Sequence, residues 1–295
     1  MRIFNKLLLT IALAFCLLLQ PVTAEAAEIS TTASACLVGD ADTGQIIYSQ
    51  NAYKRVAPAS TLKILTGLLV VEAVERGELS YDTQVTIAGE DIYGMPSDIS
   101  TVSPQLMVGE QLTVGQLLVA TLMMSDCNAC SALARTVSGS VDNFVALMNA
   151  RAKELGCTDS YFVNPSGYPS VLQYTTAYSL FIIAREAMQH QMFADIVATT
   201  NATMPATNMC GARTLTTTNA LMYQGDTYYN PYVVGIKTGN SASSGKCLVA
   251  EAKKDGHTVI SVVLGESRHY NSDGSYIAGQ YAVSNQLLEL GLSSY

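Results

Sequence analysis

Ser60 and Lys63 stand three residues apart in the run Pro58-Ala59-Ser60-Thr61-Leu62-Lys63, and Lys237-Thr238-Gly239 follows far downstream. A chain that uses these groups together must bring a helix start against a distant strand, and that demand constrains the fold more than any other feature. Residues three apart share a helix face, so a serine in the first turn meets the lysine amine one turn later. Pro58 suits a helix start, and Leu62, Lys63, Ile64 and Leu65 continue it toward Ala73. An amine acts as a base only when neutral, a state that burial and a second cation such as Lys237 favour. Lys63 then takes the Ser60 proton. A serine at a helix N-terminus also offers its own backbone N–H to a developing oxyanion. The histidines are His190, His257 and His269, none in a Ser-His-Asp setting, which favours a lysine base.

A serine and lysine at this spacing recur by chance, as a solvated lysine beside an N-cap serine. Order and context distinguish this pair. Thr113-Val114-Gly115-Gln116 reads as a capping box opening an apolar helix through Leu117, Leu118, Leu122 and Met123. That helix ends at the polar corner Ser125-Asp126-Cys127-Asn128, and a second helix follows through Ala132 and Leu133. Beyond Lys237-Thr238-Gly239, the runs Gly245 to Ala250 and Thr258 to Gly265 read as two adjacent antiparallel strands, which puts the lysine motif on a strand.

With these motifs in order, the chain resembles the serine-type D-alanyl-D-alanine carboxypeptidases, low-molecular-mass penicillin-binding proteins of the serine β-lactamase-like superfamily. The likeness runs from about Ala33 to Tyr295. It includes Leu37 to Tyr48, Phe162-Val163-Asn164-Pro165-Ser166-Gly167, Tyr174-Thr175-Thr176-Ala177 and Gly235-Ile236-Lys237-Thr238-Gly239. The resemblance implies an acyl-enzyme cycle on peptidoglycan pentapeptide stems, with the terminal D-alanine released and β-lactams as covalent inhibitors. Ser60 would be the nucleophile, Lys63 the base in acylation, and Ser125 the shuttle that carries a proton to the leaving amine. Lys237 and Thr238 would hold the substrate's terminal carboxylate. The backbone N–H groups of Ser60 and Asn240 would form the oxyanion hole. Gly239 is expected to be small so that substrate can approach the strand.

The middle motif departs from the family pattern of Ser-x-Asn, since this chain reads Ser125-Asp126-Cys127 with asparagine only at Asn128. Either Cys127 occupies the asparagine's place or the loop is re-registered to bring Asn128 there. One residue on a helix is a rotation of about 100°, so Asn128 should point elsewhere unless the loop adjusts. A thiol is a poorer hydrogen-bonding group than a carboxamide, and slower turnover is expected with Cys127 as a substrate-binding residue. Ser166 and Gln173 stand where many relatives carry histidine, and no functional weight is given to them. A weakly active penicillin-binding or peptidoglycan-binding protein is the alternative that Cys127 raises. A β-lactamase is the other, against which stands the absence of a convincing Glu-x-x-x-Asn loop ahead of the lysine strand.

Cys127 and Cys130 form a CxxC, but with no second pair and no suitably spaced histidine neither redox nor metal chemistry is expected. No cofactor and no metal are expected. Cys36, Cys157, Cys210 and Cys247 read as small, mostly buried residues, with disulfides left open by the even count in an exported chain. Export is read from Arg2 and Lys6 ahead of the apolar run Leu7 to Leu19 and the small residues up to Ala27, a secretory signal over residues 1–26. That stretch is too short for a firm membrane anchor, so the mature chain is expected outside the cytoplasm of a bacterium, secreted or wall-associated. A formal charge of −8 argues against nucleic acid as a partner. Lys246, Lys253, Lys254 and Arg268 read as solvated residues near the strand pair.

The expected architecture is α+β. An antiparallel sheet is flanked by helices, a helical subdomain covers about residues 66–198, and the active site lies in the cleft between them. Residues 27–295 are expected to be one catalytic domain without a C-terminal β-domain or anchor. Phe144, Met148, Ala152 and Leu155 have helical spacing with Gly156 as a stop. Residues 201–230, rich in Thr, Asn and Tyr, are expected to be a long loop leading to the lysine strand.

Overall fold

The sheet is built from strands whose buried runs are long enough to be covered on both faces. In the computed structural model, which describes residues 29–93, 101–267, 269–270 and 276–295, the first two strands are β1, Ala35–Asp40, and β2, Ile46–Gln50. A 3-10 turn over Ala59–Leu62 leads directly into α1, Lys63–Glu75. Every residue of α1 from Lys63 to Ala73 is buried, the pattern of a helix at the centre of a core rather than on its surface. The short strands β3, Gln84–Thr86, and β4, Gln111–Thr113, pair with each other.

Helix α2, Val114–Met123, opens with the capping box read from the sequence. The Gln116 N–H donates to Thr113 Oγ1 at 3.1 Å, and the Thr113 N–H donates to Gln116 Oε1 at 2.8 Å. Asp126 caps α3, Cys127–Ser138, by accepting from the Ala129 N–H at 2.8 Å. Helix α4, Val141–Glu154, buries Phe144, Met148 and Ala152, and the chain turns beyond it at Gly156, whose φ of 80° suits glycine. Helices α5, Ala177–Ala187, and α6, Gln191–Ala198, complete this side of the molecule.

The stretch after residue 200 is more ordered than the sequence suggests. Strands β5, Asn201–Met204, and β6, Arg213–Thr216, pair there, and a 3-10 turn follows at Ala220–Met222. Arg213 is the reason the pattern is hard to read. It is buried on the strand, paired to Glu110 at 2.7 Å and donating to the Pro104 carbonyl at 2.6 Å.

Strands β7, Val233–Ser241, β8, Gly245–Lys254, and β9, His257–Glu266, then close an antiparallel sheet in the order β2-β1-β9-β8-β7. Alternate residues face opposite ways, as a pleat requires. Leu37, Val249, Ile260 and Val262 join the core that contains α1 to α6, while Val38, Leu248, Ala250 and Val263 join Val283, Leu287 and Leu288 of the last helix α7, Gly279–Leu292. This sandwiching explains why β8 and β9 read as nearly continuous apolar runs. On the core side, α5 and α6 lie against the sheet, with α1 largely behind them. The expected signal segment, residues 1–26, and Arg268 fall outside the described residues.

Candidate active site

The position of Ser60 is set by an unusual turn. Ala59 has a φ of 49°, so the chain enters Ser60 from a left-handed conformation, and Ser60 sits in the 3-10 turn rather than in the α-helix proper. Lys63 is the first residue of α1, and the two side chains still meet, with Lys63 Nζ 3.0 Å from Ser60 Oγ. The Lys63 amine is fully buried and has two more partners, the Ser166 carbonyl at 2.7 Å and Cys127 Sγ at 3.3 Å.

These three contacts matter together. A neutral amine has two N–H bonds and one lone pair. With the Ser166 oxygen and the Cys127 sulfur each accepting one hydrogen, the third direction of the amine points at Ser60 Oγ, where the lone pair would lie once Lys63 is neutral.

Ser166 reaches this place through a braced loop. The Asn164 carboxamide oxygen accepts from the N–H groups of Ser166, Gly167 and Tyr168 at 3.2, 2.9 and 3.1 Å. Gln173 Oε1 accepts from the Val163 and Asn164 N–H groups at 3.1 and 3.3 Å. Thr66 of α1 donates to the Pro165 carbonyl at 2.6 Å, tying the loop to the same helix that carries Lys63. Gln173, given no functional weight in the sequence, therefore helps hold the loop whose Ser166 carbonyl accepts from Lys63. A backbone carbonyl has no residue signature, and the only sequence signal for it was the turn-forming Asn164-Pro165-Ser166-Gly167.

Across the cleft, β7 presents Lys237, Thr238, Gly239 and Asn240, paired in register with Val249, Leu248, Cys247 and Lys246 of β8. Lys237 is 1% exposed, and its amine donates to the Thr238 carbonyl at 3.2 Å. Burial, reinforced by the nearby Lys63 charge, pulls Lys237 down from the usual lysine range to about 7. Thr238 Oγ1 lies 2.5 Å from Thr218 Oγ1, a partner the sequence did not indicate. Tyr281 from α7 donates to the Thr218 carbonyl at 2.9 Å and closes that end of the cleft.

Gly239 also meets a packing constraint. A Cβ there would lie 3.1 Å from Ala59 Cβ and from the backbone nitrogens of Ser60 and Thr61. The lack of a side chain lets β7 pack against the Ser60 turn.

Ser125 has a φ of 67° at the corner between α2 and α3 and lines the cleft with Ser60 and Cys127. The corner is fixed by the buried Asp126, whose Oδ2 accepts from the Thr101 and Val102 N–H groups at 2.8 and 3.2 Å. Of the two residues weighed for the asparagine position, Cys127 is the one at the Lys63 amine. Asn128 is buried and is not among the residues lining the cleft. The cleft has a volume of about 730 Å³ and also takes in Lys246 and Gln280. Lys253 instead pairs with Glu251 at 3.1 Å, and Lys254 lies over the Tyr232 ring. Glu72, Glu186 and His190 converge on one spot away from the cleft, but the Arg151 guanidinium already donates to Glu72 and Glu186 at 2.7 Å each.

A serine and a lysine at the start of one buried helix thus face a lysine strand across a cleft. The defining sequence pattern of the D-alanyl-D-alanine carboxypeptidases, peptidase family S11, matches residues 20–268, and the chain belongs to that family. It is 32% identical over 240 residues to the D-alanyl-D-alanine carboxypeptidase DacF of Bacillus subtilis, covering 81% of this chain and 59% of that one. It is 34% identical over 238 residues to the D-alanyl-D-alanine carboxypeptidase of Streptomyces sp. strain K15, covering 75% and 77%. The chain spans less than two thirds of the length of several curated relatives. Among solved structures, the Streptomyces K15 DD-transpeptidase superposes with a TM-score of 0.77 at 27% identity, covering 90% of this chain and 98% of that one. The cefotaxime-bound penicillin-binding protein D2 of Listeria monocytogenes gives 0.76 at 26%, covering 90% and 99%.

Proposed function

We propose that this protein is a serine D-alanyl-D-alanine carboxypeptidase that removes the terminal D-alanine from peptidoglycan pentapeptide stems. The observation that carries the reading is the 3.0 Å contact between Lys63 Nζ and Ser60 Oγ, in an amine that also donates to the Ser166 carbonyl and toward Cys127 Sγ. In this reading Lys63 takes the Ser60 proton as Oγ attacks the carbonyl of the penultimate D-alanine. The N–H groups of Ser60 and Asn240 receive the oxyanion, and Ser125 passes a proton to the departing amine. Protonated Lys237 and Thr238 hold the substrate's free carboxylate, and water then hydrolyses the ester on Ser60. The family of the chain and a β-lactam-bound neighbour support benzylpenicillin as a substrate mimic for the same serine. An extracytoplasmic location draws support from the family's cell-wall role and from the leader-like residues at the N-terminus. Among the described residues no helix is long and apolar enough to cross a membrane.

Cys127 favours a second reading, a penicillin-binding protein with slow turnover, because a thiol stands where a carboxamide would orient substrate. One experiment separates the two. The purified chain is mixed with benzylpenicillin, its intact mass followed over hours, and D-alanine release from a pentapeptide measured in parallel. The expected result is an adduct on Ser60 together with D-alanine release, both lost in Ser60→Ala. An adduct without release supports the second reading, and an adduct that persists in Ser60→Ala refutes the nucleophile assignment.

A further inference from the structure

Of the CxxC pair, one thiol lines the active-site cleft and the other is buried directly behind it. Cys127 is the first residue of α3 and lines the cleft, with its sulfur 3.3 Å from the Lys63 amine. Cys130, one turn on, is fully buried and donates to the Pro165 carbonyl at 3.1 Å, the residue next to the carbonyl that holds Lys63. Both thiols are free in this structure. From these positions we propose that Cys127 and Cys130 are an oxidisable pair, and that a small-molecule disulfide converts them to an intrahelical disulfide that slows acylation of Ser60. This rests on the reading of Ser60 and Lys63 given above.

The chemistry is a pair of thiol exchanges. The Cys127 thiol gives up its proton to water in the cleft, beside the Lys63 amine that donates toward its sulfur at 3.3 Å. The resulting thiolate attacks one sulfur of the small-molecule disulfide, forming a mixed disulfide and releasing one thiol. Cys130 then attacks Cys127 Sγ, its proton passing to the departing small thiolate. The protein disulfide forms and the second small thiol leaves. Two protein thiols are oxidised and one small disulfide is reduced, with no other electron acceptor needed. The order of attack follows from access. Cys127 faces the cleft and meets the small disulfide first, whereas Cys130 is fully buried and is reached only by an adduct already on Cys127.

Geometry explains the effect on Ser60. Side chains three apart on a helix have Cβ atoms about 5–6 Å apart, and a disulfide requires about 4 Å. The first turn of α3 has to tighten, drawing Cys127 Sγ toward Cys130 and away from Lys63. The amine then loses one of the two partners that aim its lone pair at Ser60.

The test treats the purified full chain with oxidised glutathione, maps the cysteine peptides by mass, and measures the benzylpenicillin acylation rate before and after, with dithiothreitol to reverse the change. The partly exposed Cys210 is expected to carry a glutathione adduct, which makes the mapping necessary. The expected result is loss of two hydrogens on the peptide holding Cys127 and Cys130, acylation slower by about tenfold or more as a proton-transfer group is misplaced, and recovery with dithiothreitol. Cys130→Ser, which retains a donor for Pro165, should instead keep a glutathione adduct on Cys127. Absence of any disulfide or adduct at Cys127 overturns the proposal, as does a disulfide that leaves the acylation rate unchanged. If the reduced chain is not acylated by benzylpenicillin at all, the functional reading fails, while the cysteine mapping still decides whether the pair is oxidisable.

Discussion

Lys237 is buried within the influence of a second lysine, and both facts act on its proton. Its value of about 7, against an ordinary 10.5, places loss of charge within the working range of pH. Carboxylate recognition needs the ammonium form, so kcat/KM for a pentapeptide should fall as pH rises through about 7, because this ratio reports the free enzyme. Bound substrate carboxylate favours the charged form, so the corresponding limb in kcat should lie at higher pH. Lys237→Arg, which keeps its charge throughout, should remove the limb from kcat/KM even if activity is lower. A kcat/KM that stays flat above neutral pH would show that Lys237 does not hold the carboxylate. The same shift carries a sign for stability. Between about 7 and 10.5 the unfolded chain holds a proton at this lysine that the folded chain does not, so the Lys237 contribution becomes less unfavourable as pH rises across that window.

At the scale of an element, the loop from Asn164 to Tyr168 does more for the site than its length suggests. Gly167 has a φ of 77°, and a Cβ there would overlap the Ala59 carbonyl at 1.8 Å, so the loop and the nucleophile turn are locked together. Gly156 has nearly the same φ, 80°, but open space around its Cβ. The pair separates backbone strain from displacement of Ser60. Gly156→Ala should cost about 1–2 kcal/mol in urea unfolding and leave the penicillin acylation rate unchanged. Gly167→Ala should cost at least as much and lower the acylation rate by about 10²-fold, since a shift of about 1 Å at a reacting atom has that effect. Equal acylation rates in the two variants would mean that the loop does not position the serine. The contrast also marks what the sequence makes legible. The capping box at Thr113, the stop at Gly156 and the lysine strand are local patterns of side chains, and each can be read from spacing. The β5 and β6 strands were hidden because a buried Arg213 interrupts the apolar alternation, its charge compensated by Glu110 more than 100 residues away. The Ser166 carbonyl and the Thr218 hydroxyl were hidden because their roles come from tertiary placement alone.

At the scale of the molecule, the cleft exists because one helix belongs to both of its walls. Helix α1 carries Lys63 at its start, is buried along nearly its whole length, and packs against α2, α3, α5 and β7. The sheet in turn has apolar side chains on both faces, one set in the core shared with α1 and the other under α7. A break between the helical layer and the sheet would expose α1, so the two layers should open as one cooperative unit rather than as separate modules. Leu68, fully buried at the middle of α1, tests this from a distance. Leu68→Ala should lower stability by about 2–5 kcal/mol. In native-state hydrogen exchange, the slowest amides of α3 in the helical layer and of β9 in the sheet should then lose protection by the same factor, although Leu68 belongs to neither element. If α3 alone loses protection while β9 keeps its own, the layers unfold independently. The cleft would then be an interface able to open without global unfolding, and the fixed spacing between Lys63 and Lys237 would not follow from the shared core.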